Sequence, residues 1–311
     1  MRHFEPIRTL AYSWRVKVGW ASPGAAFLAA RVGAHDGTKT SNSPRDRMAA
    51  ICLKCMAFGA LGVVCSAGAS QPSVAETVTR TIRVPNTTVE FTMIRVPGDA
   101  GDDQEPVRDL WVLTTEVPWE LYDIYVYELD RPEGGDADAI ARPSKPYVPP
   151  DRGFGHEGYP AISMTRAAAE GFCDWLSRAI GVSFRLPSAS EWTHLAGSAS
   201  AVDAEAWTSA NSEHKSQPVA KKQPNEYGLY DTVGNVAEWV MTDGRRPVAM
   251  GGSWRDDPSS CTATSMQQQD RSWNASDPQI PKSKWWLADC SWVGFRFVSE
   301  QDPAGEVHDD E

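Results

Sequence analysis

The chain has 311 residues, of which 41% are hydrophobic and 23% charged, a balance typical of globular proteins rather than disordered or collagen-like chains. Its formal charge of −11 is unevenly distributed, because residues 1–72 hold 9 Lys/Arg and 3 Asp/Glu, a charge of +6, whereas the rest carries −17. The acidic body argues against a nucleic-acid partner, since binding phosphate requires a basic face.

Residues 48–69 have the layout of a secretory signal peptide. A lysine precedes an apolar stretch at residues 55–65, and small residues at 67–69 offer a cleavage site. The apolar stretch is short for a membrane span, which takes roughly 20 apolar residues. We therefore expect residues 1–72 to be a leader, with Met48 as a hypothetical true start. The mature protein is then secreted, periplasmic or in the cell envelope, without a transmembrane helix.

The body is predicted to begin with strands and one short helix. Residues 79–97 alternate apolar and polar side chains about an Asn-Thr turn, which predicts a β-hairpin. Residues 110–113 are predicted as a strand, and residues 119–129 as a short helix. Residues 130–153 are rich in Pro, Gly and Asp, and we interpret them as a surface linker rather than a partner-binding loop.

Two further helices have clear boundary signals. Apolar residues at helical spacing predict a helix over 166–180, with Thr165 as its N-cap and Gly181 at its end. Ser188 and Glu191 form a capping-box pattern, which predicts that a second helix starts just after Pro187.

The remainder of the chain shows little periodicity but much tryptophan. Beyond residue 197 the pattern is of turns and short strands, with seven Trp between 207 and 292. Such a segment indicates a core assembled from aromatic side chains under long loops. Residues 300–311 are predicted to be an acidic tail.

Five strings in this region carry a family resemblance. They are RLPSASEW (185–192), NEYGLYD (225–231), GNVAEW (234–239), GGSW (251–254) and GFR (294–296). In order and spacing they resemble the formylglycine-generating enzyme family, also called sulfatase-modifying factors. The resemblance implies an α+β, C-type-lectin-like formylglycine-generating-enzyme fold, loop-rich and Trp-rich with little regular secondary structure, for a domain at residues 73–299.

The resemblance also implies calcium. Members of the family bind calcium through a motif that Asn235 and Glu238 match, and Ca²⁺ takes six to eight oxygen ligands. The same spacing fits a capping box with Asn235 at the cap, so both interpretations stay open. Asn211 would belong to a second calcium site, but its other side-chain ligands cannot be matched in residues 212–223.

The family's chemistry is oxidation of a substrate cysteine to formylglycine by copper(I) and oxygen, with the metal held by two cysteines five residues apart. Counted from the GGSW string, Cys261 falls at the second of these positions and Asp256 at the first. A carboxylate is a hard ligand and a poor replacement for a thiolate at a soft metal. Residues 262–265 also lack the Arg and Tyr expected there.

Three interpretations of Cys261 follow: a reactive thiolate, a disulfide with Cys290, or an inert buried thiol. Cys173 lies on a predicted helix and is most simply a core thiol. The histidines, among them His156 and His194, are scattered and more consistent with surface or hydrogen-bonded roles than with a metal site.

Three functions are compatible with these patterns. The first is an exported, diverged family member that binds a peptide or glycan, or acts as a scaffold, through the loop surface around Cys261. The second is an active copper-dependent oxidase whose protein partner is a sulfatase, with Cys261 as the essential ligand and Asp256 or another donor completing the site. The third is a calcium-stabilised envelope protein with no small ligand.

Overall fold

A computed structural model of the chain describes residues 76–84, 87–100, 106–131, 142–143, 149–199, 201, 204–244 and 246–304. The chain divides into two units, Met1–Ala67 and Gly68–Glu311, and every described residue belongs to the second. The predicted signal peptide lies outside the described residues. Among the described helices, none has the length and apolar character needed to cross a bilayer.

The described elements form a mixed α+β architecture with long irregular connections. The three helices are α1 (Trp119–Val126), α2 (Arg166–Ile180) and α3 (Ala189–Ala196). The strands are β1 (Thr77–Val84), β2 (Thr87–Val96), β3 (Leu110–Leu113), β4 (Ala237–Val240), β5 (Val248–Met250), β6 (Met266–Gln268), β7 (Val293–Gly294) and β8 (Val298–Ser299). Two 3-10 turns lie at Pro258–Ser260 and Arg271–Asn274.

The strands form two four-stranded sheets. The first has the order β1-β2-β3-β8, with all neighbours antiparallel. The second has the order β6-β5-β4-β7 and is antiparallel except between β4 and β7. The late strand β8 is the outermost strand of the first sheet and pairs with the early strand β3. The carboxyl-terminal strings thereby lie against the start of the domain.

The sequence-predicted elements before residue 197 are confirmed. The hairpin is β1 and β2, and α2 has the predicted bounds, with the Thr165 hydroxyl accepting from the Ala168 N–H and Gly181 at φ +79°. The capping box at Ser188 is also present. The first helix ends at Val126 instead of residue 129, and Glu128 there has φ +53°, a left-handed conformation that a helix cannot contain.

An aromatic cluster joins the helices to the end of the chain. Phe172 on α2 lies at its centre, with ring centroids 5.3 to 6.2 Å from its neighbours. The neighbouring rings are those of Tyr122, Tyr125, Trp175, Phe295 and Phe297. Such pairs add about 0.5–1.5 kcal/mol each beyond the area they bury. Cys173 is buried beside this cluster. The predicted aromatic core of the Trp-rich segment is confirmed by the buried rings of Trp239, Trp273 and Trp292, with centroids 5.7 and 5.5 Å apart.

Polar anchors tie the connection after α1 to this core. Arg142 is 7% exposed and donates from both terminal nitrogens to Asp130, at 2.6 and 2.7 Å. Its guanidinium also lies over the rings of Tyr125 and Trp175. The interpretation of residues 130–153 as a surface linker is therefore wrong at Arg142, which is held inside by an ion pair that the sequence pattern could not reveal.

Two described histidines have hydrogen-bond partners, as expected, and one of them is His194, which lies 2.9 Å from the Pro97 carbonyl oxygen. His156 stacks on Trp119 and bridges Asp123 and Asp151, with nitrogen-to-oxygen distances of 2.7 and 3.1 Å. The hydrogen bond to Asp123 is the main cause of a raised His156 pKa. Within the described residues, no group of three or more His, Cys, Asp or Glu side chains is arranged to hold a metal ion.

Candidate functional site

Cys261 lies in a tightly packed turn. It follows the Pro258–Ser260 turn, is 1% exposed and places its sulfur 3.6 Å from the Ser253 carbonyl oxygen. Gly252 has φ +74°, and a Cβ added to it would lie 2.7 Å from the Cys261 Sγ. Glycine at this position is thus required twice, by its backbone conformation and by the close approach of the sulfur.

The Cys261 thiol is held in its protonated form. Burial is the main cause of a pKa raised to about 11, and the nearby charge of Asp256 contributes in the same direction. A thiolate, not a thiol, is the nucleophile and the metal ligand in proteins. At neutral pH the free thiol is therefore uncharged and a poor nucleophile.

The described cysteines are free thiols. Cys173, Cys261 and Cys290 are all buried, and none of the three is bonded to another. The disulfide between Cys261 and Cys290 that the sequence left open is not formed. Burial also raises the Cys290 pKa to about 12. Of the three interpretations of Cys261, the structure favours the inert buried thiol.

Asp256 lies where the family resemblance implies the first metal-binding cysteine. Its carboxylate is already used in contacts within the protein. Its Oδ2 accepts from the Ser253 hydroxyl and from the Gln267 side-chain amide, both at 2.7 Å. The Gln267 amide oxygen in turn accepts from the Trp292 indole N–H at 3.0 Å. This carboxylate therefore links the turn at Cys261 to β6 and to the loop before β7.

These residues do not fit copper(I). A soft monovalent metal needs a pair of thiolates, whereas the centre offers one cysteine and one hard carboxylate that already accepts two hydrogen bonds. No other cysteine of the described residues reaches this turn as a bonded partner. We therefore derive no chemical step through copper.

The surface around this centre combines exposed polar groups with a few apolar ones. The turn at Pro258–Ser260 is exposed, and the Arg255 guanidinium lies 3.4 Å from the centroid of the Trp292 ring. Next to the turn, β6 is the last strand of its sheet among the described residues, and Met266 on it is 62% exposed. An edge strand of this kind presents backbone donors and acceptors to a partner.

Asn235 and Glu238 lie at the start of β4 and have different partners. Residues 237–240 form a buried strand and not a helix. The interpretation of Asn235 and Glu238 as a capping box, which requires a helix, is therefore wrong. The Asn235 side chain accepts from the Gln217 N–H and donates to Glu116, at 2.8 and 2.7 Å. Its amide is thus used on both sides within the protein.

Glu238 is part of a buried ion pair. Its carboxylate accepts from Arg296 Nη2 at 2.8 Å and from the Trp192 indole N–H at 3.0 Å, and both charged side chains are 1% exposed. Arg296 also donates to the carbonyl oxygens of Leu113 and Tyr230, at 2.8 and 2.7 Å. One guanidinium therefore fixes β3, the turn before β4, and β4 itself.

Three buried carboxylates share this single buried cation. Glu116 is fully buried and accepts from the Val236 N–H, and Asp231 is 2% exposed and accepts from the Ala220 N–H at 2.7 Å. The second Asp231 oxygen is buried and makes no hydrogen bond with any described residue. Burial is the main cause of the raised pKa values of both groups, that of Asp231 to about 6.

Sequence reasoning missed Glu116 and Asp231 as members of this cluster. Glu116 lies about 120 residues before its partners, and no local spacing rule connects them. Asp231 belongs to the NEYGLYD string, but its left-handed φ of +55°, which marks a special position, cannot be read from the sequence. Asn211 lies apart, accepting from the Thr208 N–H and donating to the Ala206 carbonyl.

We predict that Arg296→Met lowers the free energy of unfolding by about 3–5 kcal/mol, because it leaves buried carboxylates uncompensated. Adding Glu238→Gln to it should cost far less than the sum of the two single changes. Urea denaturation of the four proteins measures this coupling. As a matched control, Arg95→Met breaks solvent-exposed ion pairs and should leave the stability nearly unchanged. Additive effects of the two buried changes would contradict the prediction.

Three solved structures are similar to this chain. Treponema denticola variable protein 1 has 22% sequence identity and a TM-score of 0.51, covering 72% of this chain and 99% of its own. CarF has 19% identity and a TM-score of 0.50, covering 68% and 98%. PvdO from Pseudomonas aeruginosa has 19% identity and a TM-score of 0.47, covering 68% and 94%. At such identities the likeness concerns the fold alone.

Sequence comparison gives the family. Among curated proteins no relative is matched. Residues 66–280 match the family described as the sulfatase-modifying factor enzyme 1-like domain, which covers more than half of the chain and includes the turn at Cys261. The chain therefore belongs to the sulfatase-modifying factor, or formylglycine-generating enzyme, family.

Proposed function

We propose that this chain is a family member without copper oxidase activity that acts as a binding or scaffold module. The observation that carries the proposal is the chemistry at Cys261: a buried, protonated thiol beside Asp256, which is occupied by Ser253 and Gln267. Folds of this kind host different functions on one scaffold, so membership of the family does not by itself supply the activity.

The surface next to Cys261 supports a peptide as the ligand. Ser265 and Gln269 make backbone hydrogen bonds toward β5, so by strand alternation the backbone groups of Met266 and Gln268 point away from it. An extended peptide can add to such an edge, with the exposed Met266 side chain as an apolar contact. A glycan is the second candidate, and the exposed Arg255 guanidinium, which covers the buried Trp292 ring, offers it a planar surface.

The alternative is a copper-dependent oxidase that converts a sulfatase cysteine to formylglycine. It is favoured by one observation, that Cys261 retains the second metal-ligand position of the family. Incubation of the purified protein with Cu(I), oxygen and a Cys-x-Pro-x-Arg peptide, followed by mass spectrometry, separates the two proposals. We expect no conversion and no Cu(I) binding. Conversion that Cys261→Ser abolishes, and Cys173→Ser leaves intact, would overturn the first proposal.

We also propose that the domain is stabilised by calcium near Asp231 and Glu238. One Asp231 oxygen is buried without a hydrogen-bond partner among the described residues, and a cation held by this oxygen together with neutral oxygen donors would compensate it. Both oxygens of Glu116 accept hydrogen bonds, which suits an ionised carboxylate. Asn235, whose amide is used by Gln217 and Glu116, would then orient the turn instead of binding the ion.

The pH dependence of stability tests the calcium proposal. Because the folded-state pKa of Asp231 is raised to about 6, the folded protein holds this proton more tightly than the unfolded chain. In chelator, stability should therefore fall as pH rises from about 4 to 6 and stay low above that range. Calcium at about 100 times its dissociation constant should restore about 2.7 kcal/mol at pH 7.5.

The Asp231→Asn variant provides the comparison. Without calcium it should be more stable than the parent at pH 7.5, because it removes an unpaired buried charge, and its stability should respond less to calcium. Asp174→Asn on the exposed face of α2 removes the same charge and should behave like the parent. Thermal melting with and without calcium measures both. Identical melting of the parent in chelator and in calcium would refute the calcium site.

We propose that the mature protein is exported, since residues 48–69 resemble a signal peptide. Amino-terminal sequencing of the protein from its native host should find a start near residue 70, outside the cytoplasm. An intact Met1 on a cytoplasmic protein would contradict export without affecting the other two proposals.

A further inference from the structure

A polar cleft of about 1150 Å³ lies between the N-terminus of α2, the start of β5 and the loop that follows β6. Thr165, the N-cap of α2, lines it. Its walls include Arg246, Gln269, Arg271, Lys282 and Ser283. The cleft is lined by residues outside the buried carboxylate cluster and outside the turn at Cys261, so it is a separate feature of the domain.

Two cations in the cleft keep their N–H donors available. Arg246 does lie near Asp270, whose pKa is lowered by hydrogen bonds from Ser272 and also by the Arg246 charge. Arg246 and Arg271 are exposed and form no hydrogen bond or ion pair with the described part of the chain. The Lys282 ammonium is oriented by the carbonyl oxygens of Ala275 and Asp277. An ammonium has three N–H donors, so one remains after these two contacts. Three positive charges thus face one space.

The nearby carboxylates are occupied by local hydrogen bonds. Asp270 accepts from the Ser272 N–H at 2.6 Å and from its hydroxyl at 2.5 Å. Asp277, 9% exposed, accepts from the backbone N–H groups of Gln279 and Ser283. Each carboxylate therefore stabilises its own turn, while the guanidinium groups keep their donors for a ligand.

Neutral donors accompany the charges. The Ser283 hydroxyl oxygen accepts from the N–H groups of Trp285 and Trp286, at 3.2 and 3.1 Å, which leaves its proton available to a ligand. The Gln269 side chain also lines the cleft. Guanidinium forks together with hydroxyl and ammonium donors match the oxygens of carboxylates and phosphates. In a body that carries −17, such a concentration of donors and positive charge distinguishes this cleft from its surroundings.

We propose that the cleft binds a small polyvalent oxyanion, with two or three carboxylate or phosphate groups a few ångströms apart. Arg246 and Arg271 supply the charge-assisted hydrogen bonds, and Lys282 and Ser283 bind a further oxyanion group. A monovalent anion leaves most of these donors unmatched and binds far more weakly. The proposal is independent of whether the domain is an oxidase.

Isothermal titration at constant ionic strength tests this with citrate, pyrophosphate and acetate as the probes. We expect saturable binding of citrate or pyrophosphate, and none of acetate at equal concentration. Arg246→Gln/Arg271→Gln should weaken binding by about tenfold or more, because two charge-assisted contacts are lost. Arg83→Gln removes one exposed charge on β1 and should leave the affinity unchanged.

The outcomes distinguish the sources of the ligand. Binding of citrate alone identifies a polycarboxylate, and binding of pyrophosphate alone identifies a phosphate compound. The proposal is overturned if neither citrate nor pyrophosphate saturates the protein below about 10 mM, which corresponds to very weak binding. It is also overturned if the double variant, with an unchanged melting temperature, binds like the parent, or if Arg83→Gln weakens binding equally.

Discussion

The Arg296 side chain connects parts of the domain that have no regular secondary structure between them. It donates to the carbonyl of Leu113 at the end of β3, to the carbonyl of Tyr230 and to the Glu238 carboxylate. Buried carbonyl groups in irregular segments need such donors, because no ladder or helix satisfies them. Glu116 has the complementary role, since it accepts N–H groups from the turn before β4. The positions of both sheets depend on these contacts.

The family strings are explained by this network more directly than by chemistry. RLPSASEW supplies the Trp192 indole, GNVAEW supplies Asn235 and Glu238, and GFR supplies Arg296. GGSW supplies the glycine that admits the Cys261 sulfur. The strings thus hold one fold together whether or not a metal is present. This separation allows the scaffold to persist although residue 256 is an aspartate and not the cysteine that the resemblance implies.

Local patterns predicted the helices and the hairpin because caps, turns and periodicity act within a few residues. Thr165, Ser188 and Gly181 do in the structure what their chemistry indicates. The spacing of Asn235 and Glu238 was ambiguous, since two such residues three apart fit a helix cap as well as the family's calcium motif. Arg142 and Glu116 could not be placed at all, because their partners are fixed by tertiary packing. The departure at Asp256 was visible from the sequence, whereas the burial of its neighbouring thiol was not.

The contact between Gly252 and Cys261 limits the reactions of this sulfur with peroxides and reactive disulfides. An oxygen or an alkyl group added to the sulfur needs space comparable to a methyl group, and the packing around Sγ leaves none on the side of Gly252. The high proton affinity of the thiol removes the reactive anion as well. Cys261 is therefore shielded from sulfenic acid formation and alkylation while the domain is folded, and becomes a reporter of its unfolding.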